Sequence, residues 1–173
     1  VGIVAVLNKI ADAFSDASDK ATAFETNVAM VSTVADTTVL SADQLSTQIS
    51  GLSKDTAKNV NELADATYNA ISAGVATEGA VETVGEASKL AKAGFTSSAS
   101  ALSVLTTALN AYQLEASEVT NISDSLITSQ NLGVMTIDQL SSSMGKAIST
   151  ASAYSIDLYN LESGYISLTK AGV

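Results

Sequence analysis

The apolar residues of this chain recur at intervals of three and four, and no proline interrupts them over 173 residues. This spacing places apolar side chains on one face of an α-helix, and alanine, the best helix former, occurs 28 times. We therefore predict an all-α fold, with a long amphipathic helix over residues 1–40 and a helical-hairpin array over residues 41–173. In that array about six shorter helices pack as consecutive hairpins, as a bundle or as a solenoid.

The apolar stripe of the first helix needs a partner. One alternative is that the helix packs on its own domain, and the other is that it forms a seam between copies of the chain. Alanine and serine dilute the heptad pattern that a seam requires, so the first alternative is favoured. The stripe consists of Val4, Leu7, Ala11, Phe14, Ala17, Ala21, Phe24, Val28, Val31 and Ala35.

The shorter helices are marked by start signals as well as by apolar faces. Three residue pairs have capping-box spacing, in which the first side chain accepts from an early backbone N–H and the second returns the bond. These pairs are Ser41 with Gln44, Asn59 with Glu62, and Thr136 with Gln139. The predicted helices lie near residues 42–55, 60–73, 78–93, 97–112, 117–131, 137–153 and 156–171.

A short motif, glycine followed by a large apolar residue, recurs in "SAGVAT", "AKAGFT", "LGVMT" and "KAGV". Gly94, Gly133 and Gly172 are separated by equal steps of about 39 residues, the length of one helical hairpin. We interpret each glycine as a left-handed helix end, with the next apolar residue packed back one turn. The predicted contacts are Val75 on Ala70, Phe95 on Leu90, Val134 near Ser129 and Val173 on Leu168, with Thr77, Thr96 and Thr136 as the N-caps that follow.

The composition removes most catalytic chemistry. The chain contains no cysteine, histidine or arginine, so a thiol nucleophile, a sulfur-ligated metal and an imidazole base are excluded. A formal charge of −10 opposes binding of nucleic acid by this segment. Serine and threonine number 43, and a core of small side chains predicts modest stability. The longest apolar run, "VGIVAVL", is too short to span a membrane.

Acidic neighbours are the remaining candidates for a reactive site. We expect them to be solvated on helix faces, because catalysis by paired carboxyls needs a cleft that holds one of them buried. The segment "EGAVETVGE" around Gly79 and Gly85 lacks the lysine of a phosphate loop and is predicted to be helical. We therefore expect no enzyme activity, no cofactor and no metal, and we name no catalytic or binding residue. The acidic sets are Asp16 with Asp19, Glu78 with Glu82 and Glu86, and Glu115 with Glu118.

From Ala21 to Val173 the sequence resembles the shared region of phage tail tape measure proteins. The resemblance rests on segments that include "LSADQLSTQISGLSKDTAKNV", "LAKAGF" and "LESGYISLTKAGV". Gln113 and Tyr154 stand where the family would have glycine, so the turns there are expected to differ. The most specific positions are Asn110, Ala111, Tyr112, Leu114, Ser117 and Asp124, and then Thr136 to Leu140.

The resemblance implies a structural virion protein that is longer than this fragment and lies in the tail tube lumen. Such a protein is made in the host cytoplasm, sets the length of the tail tube during assembly, and leaves with or ahead of the DNA at infection. The implied partners are the tail tube protein, tail assembly chaperones, and tail tip or baseplate proteins. Self-association is expected, as is contact with the host membrane after ejection. The alternative function is a membrane-active helical protein that assists genome passage across the host envelope.

Overall fold

The computed structural model describes the backbone of residues 2–172 and the side chains of residues 12, 13 and 15–172. Within that range the fold is all-α, as predicted, and it contains no strand. Seven shorter helices follow the long first one, close to the expected total of about six, and each corresponds to one of the seven predicted ranges. The elements are α1 (Gly2–Val34), α2 (Ala42–Thr56), α3 (Val60–Ser72), α4 (Thr77–Ala93), α5 (Ser98–Tyr112), a 3-10 turn (Ala116–Glu118), α6 (Val119–Leu132), α7 (Ile137–Ala153) and α8 (Leu158–Lys170).

The helices form a stack in which each one packs on the next and also on the next but one. The most extensive contacts join α5 to α7, α4 to α5, and α1 to α3. Among the described residues, every side-chain hydrogen bond between positions more than seven apart spans 34 to 44 residues. Each such bond therefore joins one hairpin to the following one, a spacing that agrees with a period of about 39 residues.

The corners that connect successive helices lie alternately on two sides of the stack. On one side, Lys58 Nζ donates to Ser98 Oγ at 2.7 Å. On the other side, Asp36 N donates to Thr77 Oγ1 at 2.8 Å, and Tyr112 Oη donates to the Ile156 carbonyl at 2.9 Å. Successive corners on the same side are thus linked directly, so each hairpin positions the next.

Among the residues of the α1 stripe whose side chains are described, only those in the second half pack against the core. Val28 and Val31 are buried, and Phe24 is partly buried against the core. Ala17 and Ala21 are exposed, while the predictions for Val4, Leu7, Ala11 and Phe14 lie outside the described side chains. The remaining core runs along the stack, and its largest fully buried side chains are Leu45, Ile49, Leu63, Leu90, Leu105, Ile122, Leu126, Ile137, Leu140, Met144 and Ile148.

Two of the three predicted capping boxes are confirmed. Ser41 and Thr136 each accept from the backbone of a glutamine that returns the bond. Asn59 also caps its helix, but it accepts from Asn61 N at 2.8 Å. The shorter Asx-type bond satisfies the same early backbone donor, so Glu62 is not needed for the cap.

The left-handed geometry was predicted correctly at two glycines and wrongly at two. Gly74 and Gly172 have φ of 100° and 82°. Gly94 has φ of −89°, which other residues also adopt. A Cβ there would lie 2.5 Å from Cγ1 of Ile137, so this glycine allows close packing instead. Gly133 has φ of −88°, and a Cβ there would lie 2.5 Å from Cε of Met135.

The apolar residues after these two glycines do not pack back as predicted. Phe95 itself takes the left-handed conformation, with φ of 52°, and its side chain is 93% exposed instead of lying on Leu90. Val134 is 73% exposed instead of lying near Ser129. At the first corner, by contrast, Val75 is buried, and its N–H donates to the Ala70 carbonyl at 3.1 Å. The predicted contact of Val173 lies outside the described residues.

Thr136 is the N-cap of α7, but Thr77 and Thr96 are not N-caps. Ala76 and Ser97 occupy those positions. Thr77 instead accepts the bond from Asp36 N that links two corners, and Thr96 donates to the carboxylate of Asp138. Both threonines therefore serve contacts between hairpins, which local sequence patterns do not reveal.

Non-glycine residues occupy several left-handed corners of the described chain. Gln113, where the resemblance leads us to expect glycine, has φ of 53°, and Ser155, which follows the other such position, Tyr154, has φ of 57°. Ala57 and Phe95 have φ of 55° and 52°. The left-handed conformation costs an L-residue roughly 1 to 2 kcal/mol.

Replacing Gln113 by glycine is expected to raise the free energy of unfolding by about 0.5 to 1 kcal/mol. Glycine removes the steric cost at this φ, although it adds flexibility to the unfolded chain. Urea denaturation of the variant and the wild type measures the change. Glycine at Thr107, inside α5, is the control and should destabilise by a similar amount. A loss of stability for the Gln113 variant would contradict the strain at this corner.

Candidate functional site

The acidic pairs named from the sequence lie apart from one another on helix surfaces. Asp16 is exposed and pairs with Lys20 at 2.7 Å, one turn away on α1. Glu118 is exposed and accepts from Asn121 Nδ2 at 2.8 Å. The structure therefore brings neither of these carboxylates into a cleft with a second acid.

Glu86 is the exception among the acids of α4. Glu78 and Glu82 are exposed, but Glu86 is buried and its Oε1 lies 2.5 Å from Lys89 Nζ. The same contact raises the pKa of Lys89, first through the hydrogen bond and then through the charge of Glu86. This pair is a local structural ion pair on one helix.

An open groove of about 1170 Å³ lies between α2 and α4. Its walls carry both acidic residues and lysines. Gly51 and Gly85, which have no side chains, also line it. Gly85 and Gly79 are both helical, as predicted, and a Cβ on Gly85 would lie 3.1 Å from Leu52. With carboxylates, ammonium groups and hydroxyls, the groove can form ion pairs with a protein partner. Its charged residues are Asp55, Lys58, Glu62, Glu78, Glu82, Glu86, Lys89 and Lys92.

A second groove, of about 610 Å³, lies between the start of α7 and the end of α8. Met135 and Leu140 are buried in its floor, while Leu168 is half exposed. α8 is the last helix of the stack within the described chain. The groove beside it is lined by apolar side chains like those that pack between helices elsewhere in the stack.

The three most exposed large apolar side chains of the described residues lie at corners between helices. Phe95 and Val134 lie on one side of the stack, and Tyr154, which is 78% exposed, lies on the other side. The two ends of α-helical hairpins are the places most accessible to a surrounding partner. Side chains this exposed add no stability to the isolated chain, so they are candidates for contacts with other proteins.

Sequence patterns missed the most unusual polar group of the molecule, Glu162 of α8. It is only 3% exposed, and its Oε1 lies 3.0 Å from Ser125 Oγ on α6. Burial raises the pKa of Glu162 to about 7, although hydrogen bonds from Ser125 and Ser129 oppose the shift. Its position four residues after buried Leu158, on the apolar face, could have identified it.

The described residues lack two further features. Their helices include none that is long and apolar enough to cross a membrane. In the same residues, acidic side chains do not cluster in a way that could hold a metal ion. What the surface offers is mixed charge and exposed apolar corners, which suit contacts with proteins.

Comparisons with known proteins were consistent with one another. The family described as "Phage-related minor tail protein" matches residues 46–173. A "Probable tape measure protein" of Clostridium phage phiCD119 is 31% identical over 143 residues, which cover 80% of this chain. The chain spans 15% of the length of that relative. No solved structure matches the fold.

Proposed function

Since this chain belongs to the phage tail tape measure family and is a structural component of the phage tail, we propose that it helps to set the length of the tail tube during assembly. We further propose that it lies in the tube lumen and leaves with or ahead of the DNA at infection. The proposed partners are the tail tube protein, tail assembly chaperones, and tail tip or baseplate proteins. No turnover of a substrate is part of this function.

The observation that best supports a length-setting role is the regular repeat of the hairpins. Each hairpin joins the next through hydrogen bonds whose partners lie 34 to 44 residues apart, most of them at or near the corners. A chain of this kind can gain or lose one unit without changing how the remaining units pack. Its length can therefore change in defined steps.

A compact array must open if it is to act as an extended ruler. The chain has no proline, so all of its corners are compatible with a continuous helix. At Ala57, Phe95, Gln113 and Ser155 the left-handed conformation is strained, and a helical φ would release that strain. The core contains many alanine side chains, which bury less area than leucine. These properties favour opening of the hairpins into end-to-end helices within a tube.

Deletion of one hairpin from the full-length protein tests this function. Removing residues 95–133 joins Gly94 to Val134, so one corner replaces another and α5 and α6 are lost. If the chain is extended in the tube, the tail should shorten by about 59 Å, because a helix rises about 1.5 Å per residue. Electron microscopy of the phage tails measures the length.

Two comparisons make this deletion decisive. Duplication of the same residues should lengthen the tail by the same amount, about 59 Å. The substitution Phe95→Ser keeps the number of residues, so it should leave tail length unchanged. Tails of wild-type length in both the deletion and the duplication would show that this region does not set length.

A further inference from the structure

Glu162 occupies an interface where its charge has no countercharge. It lies on the face of α8 that packs against α6, with 3% of its surface exposed. Lysine does not pair with it, since the ion pairs found in the described residues join Lys20 to Asp16 and Lys89 to Glu86. An ionised carboxylate in such a place loses its hydration without gaining an opposite charge.

The hydrogen bonds that Glu162 receives from serine hydroxyls offset only part of the effect of its burial. Ser125 Oγ lies 3.0 Å from Glu162 Oε1 and 2.9 Å from the Ile122 carbonyl oxygen. A serine hydroxyl has one proton, so it cannot donate to both acceptors. If Glu162 is protonated, it donates to Ser125, and Ser125 donates to Ile122. If Glu162 is ionised, Ser125 can donate to it only by giving up the Ile122 carbonyl, so this bond stabilises the carboxylate only in part.

The other ionisable groups around α8 do not compensate the charge. Asp124 on α6, and Asp138 and Lys146 on α7, are exposed. Tyr112, at the end of α5, is partly buried, and its pKa is raised by burial and then by the negative charges of Asp157 and Glu162. The pKa of Glu162 is accordingly set by burial and by the two serine hydroxyls, and no charged group on these elements offsets the burial.

We propose that Glu162 is a proton-controlled lock between the last two hairpins: its protonated carboxyl holds α8 on α6, and its ionisation loosens that contact. This inference rests on the α6–α8 interface alone and does not depend on the tape measure function. It gives the stack one contact that responds to pH near neutrality.

The direction of the pH effect follows from the two states of the carboxyl. When α8 is docked, the pKa of Glu162 is raised from 4.5 to about 7. A group with a raised pKa contributes its full stabilisation below the value of the undocked state and loses it as pH rises through the docked value. Docking of α8 is therefore strongest below 4.5 and weakens up to about pH 7. Above that pH it changes little more.

Hydrogen exchange of the α8 backbone, followed by mass spectrometry and corrected for intrinsic exchange, tests the lock. In the wild type, the equilibrium constant for docking should fall about tenfold between about pH 6 and about pH 8. In Glu162→Gln it should be independent of pH, because the amide can donate to Ser125 as the protonated carboxyl does. Glu86→Gln is the matched control, since Glu86 is buried but paired with Lys89, and α8 should keep its wild-type pH dependence.

A second measurement gives its main result on the wild-type protein. Carbon-13 NMR of the Glu162 carboxyl in the wild type should give a midpoint near 7, and Ser125→Ala should move it upward, because the lost hydrogen bond had lowered the pKa. A midpoint near 4.5 in the wild type would overturn the lock. Equal pH dependence of α8 exchange in the wild type and in Glu162→Gln would also overturn it.

Discussion

Valine in place of Gly79 should lower the free energy of unfolding by about 3 kcal/mol or more. Gly79 lies in α4, which contacts α2, α3, α5, α6 and the 3-10 turn. An ideal Cβ at Gly79 would lie 2.1 Å from the Cβ of Ala116. The clash forces the 3-10 turn away from the most central helix, and this outweighs the better helix propensity of valine. Urea denaturation monitored by circular dichroism measures the loss.

The structure supplies both a control and a rescue for this prediction. Nothing lies within 4 Å of a Cβ built on Gly51 in α2, so Gly51→Ala should stabilise the protein by about 0.5 to 1 kcal/mol. Alanine at Gly79 places the same Cβ against Ala116 and should also destabilise the protein. Ala116→Gly removes the clashing atom, and it should restore most of the stability that Gly79→Ala loses. Equal effects of alanine at Gly51 and at Gly79, or no coupling in the double variant, would contradict a clash at this position.

The helices themselves could be predicted because their signals are local. The range predicted for the seventh helix, 137–153, is also the observed one, since the capping box at Thr136 marks its start and its apolar face is continuous. The hairpin period was equally visible, because equal spacing of Gly94, Gly133 and Gly172 survives in the sequence. Spacing of three or four residues and repeats of a motif are both properties of the chain that need no knowledge of packing.

The conformation of the corners could not be predicted, because it depends on residues far away in the chain. Gly94 is required by Ile137, which packs against it from the next hairpin. The left-handed residue then moves to Phe95, a position that no local rule favours. Gln113 shows the reverse case, in which the left-handed residue of a corner is not a glycine and is not followed or preceded by one.

Only some of the candidate contact residues could be predicted from the sequence. Exposed acids were identified correctly as solvated in most positions, because charged residues on helix faces are usually exposed. Glu162 was missed because the same general rule places glutamate outside. Its burial depends on α6, which presents Ser125 and Ser129 to it. Phe95 and Val134 were assigned to the core for a related reason, since apolar residues after glycine usually pack back on the helix.

Strain at the corners and the small side chains of the core both reduce the stability of the hairpin form. The corners at Phe95 and Gln113 raise the free energy of the hairpin form, and alanine contacts return little per residue. The large buried side chains must therefore contribute a large share of the stability that remains. Removal of one of them is a direct measure of how close the array is to opening.

Leu105→Ala is expected to lower the free energy of unfolding by about 2 to 5 kcal/mol, a large fraction of the stability of a domain of this size. Leu105 lies in the middle of α5 with none of its surface exposed, in the helix that packs on both α4 and α7. Its loss leaves a cavity between two hairpins, so both should be weakened. Leu132→Ala is the matched control, because Leu132 is 52% exposed and should cost no more than about 0.5 kcal/mol. Hydrogen exchange should show faster opening across α4 to α7 in Leu105→Ala, and an effect confined to α5 would mean that the hairpins open independently.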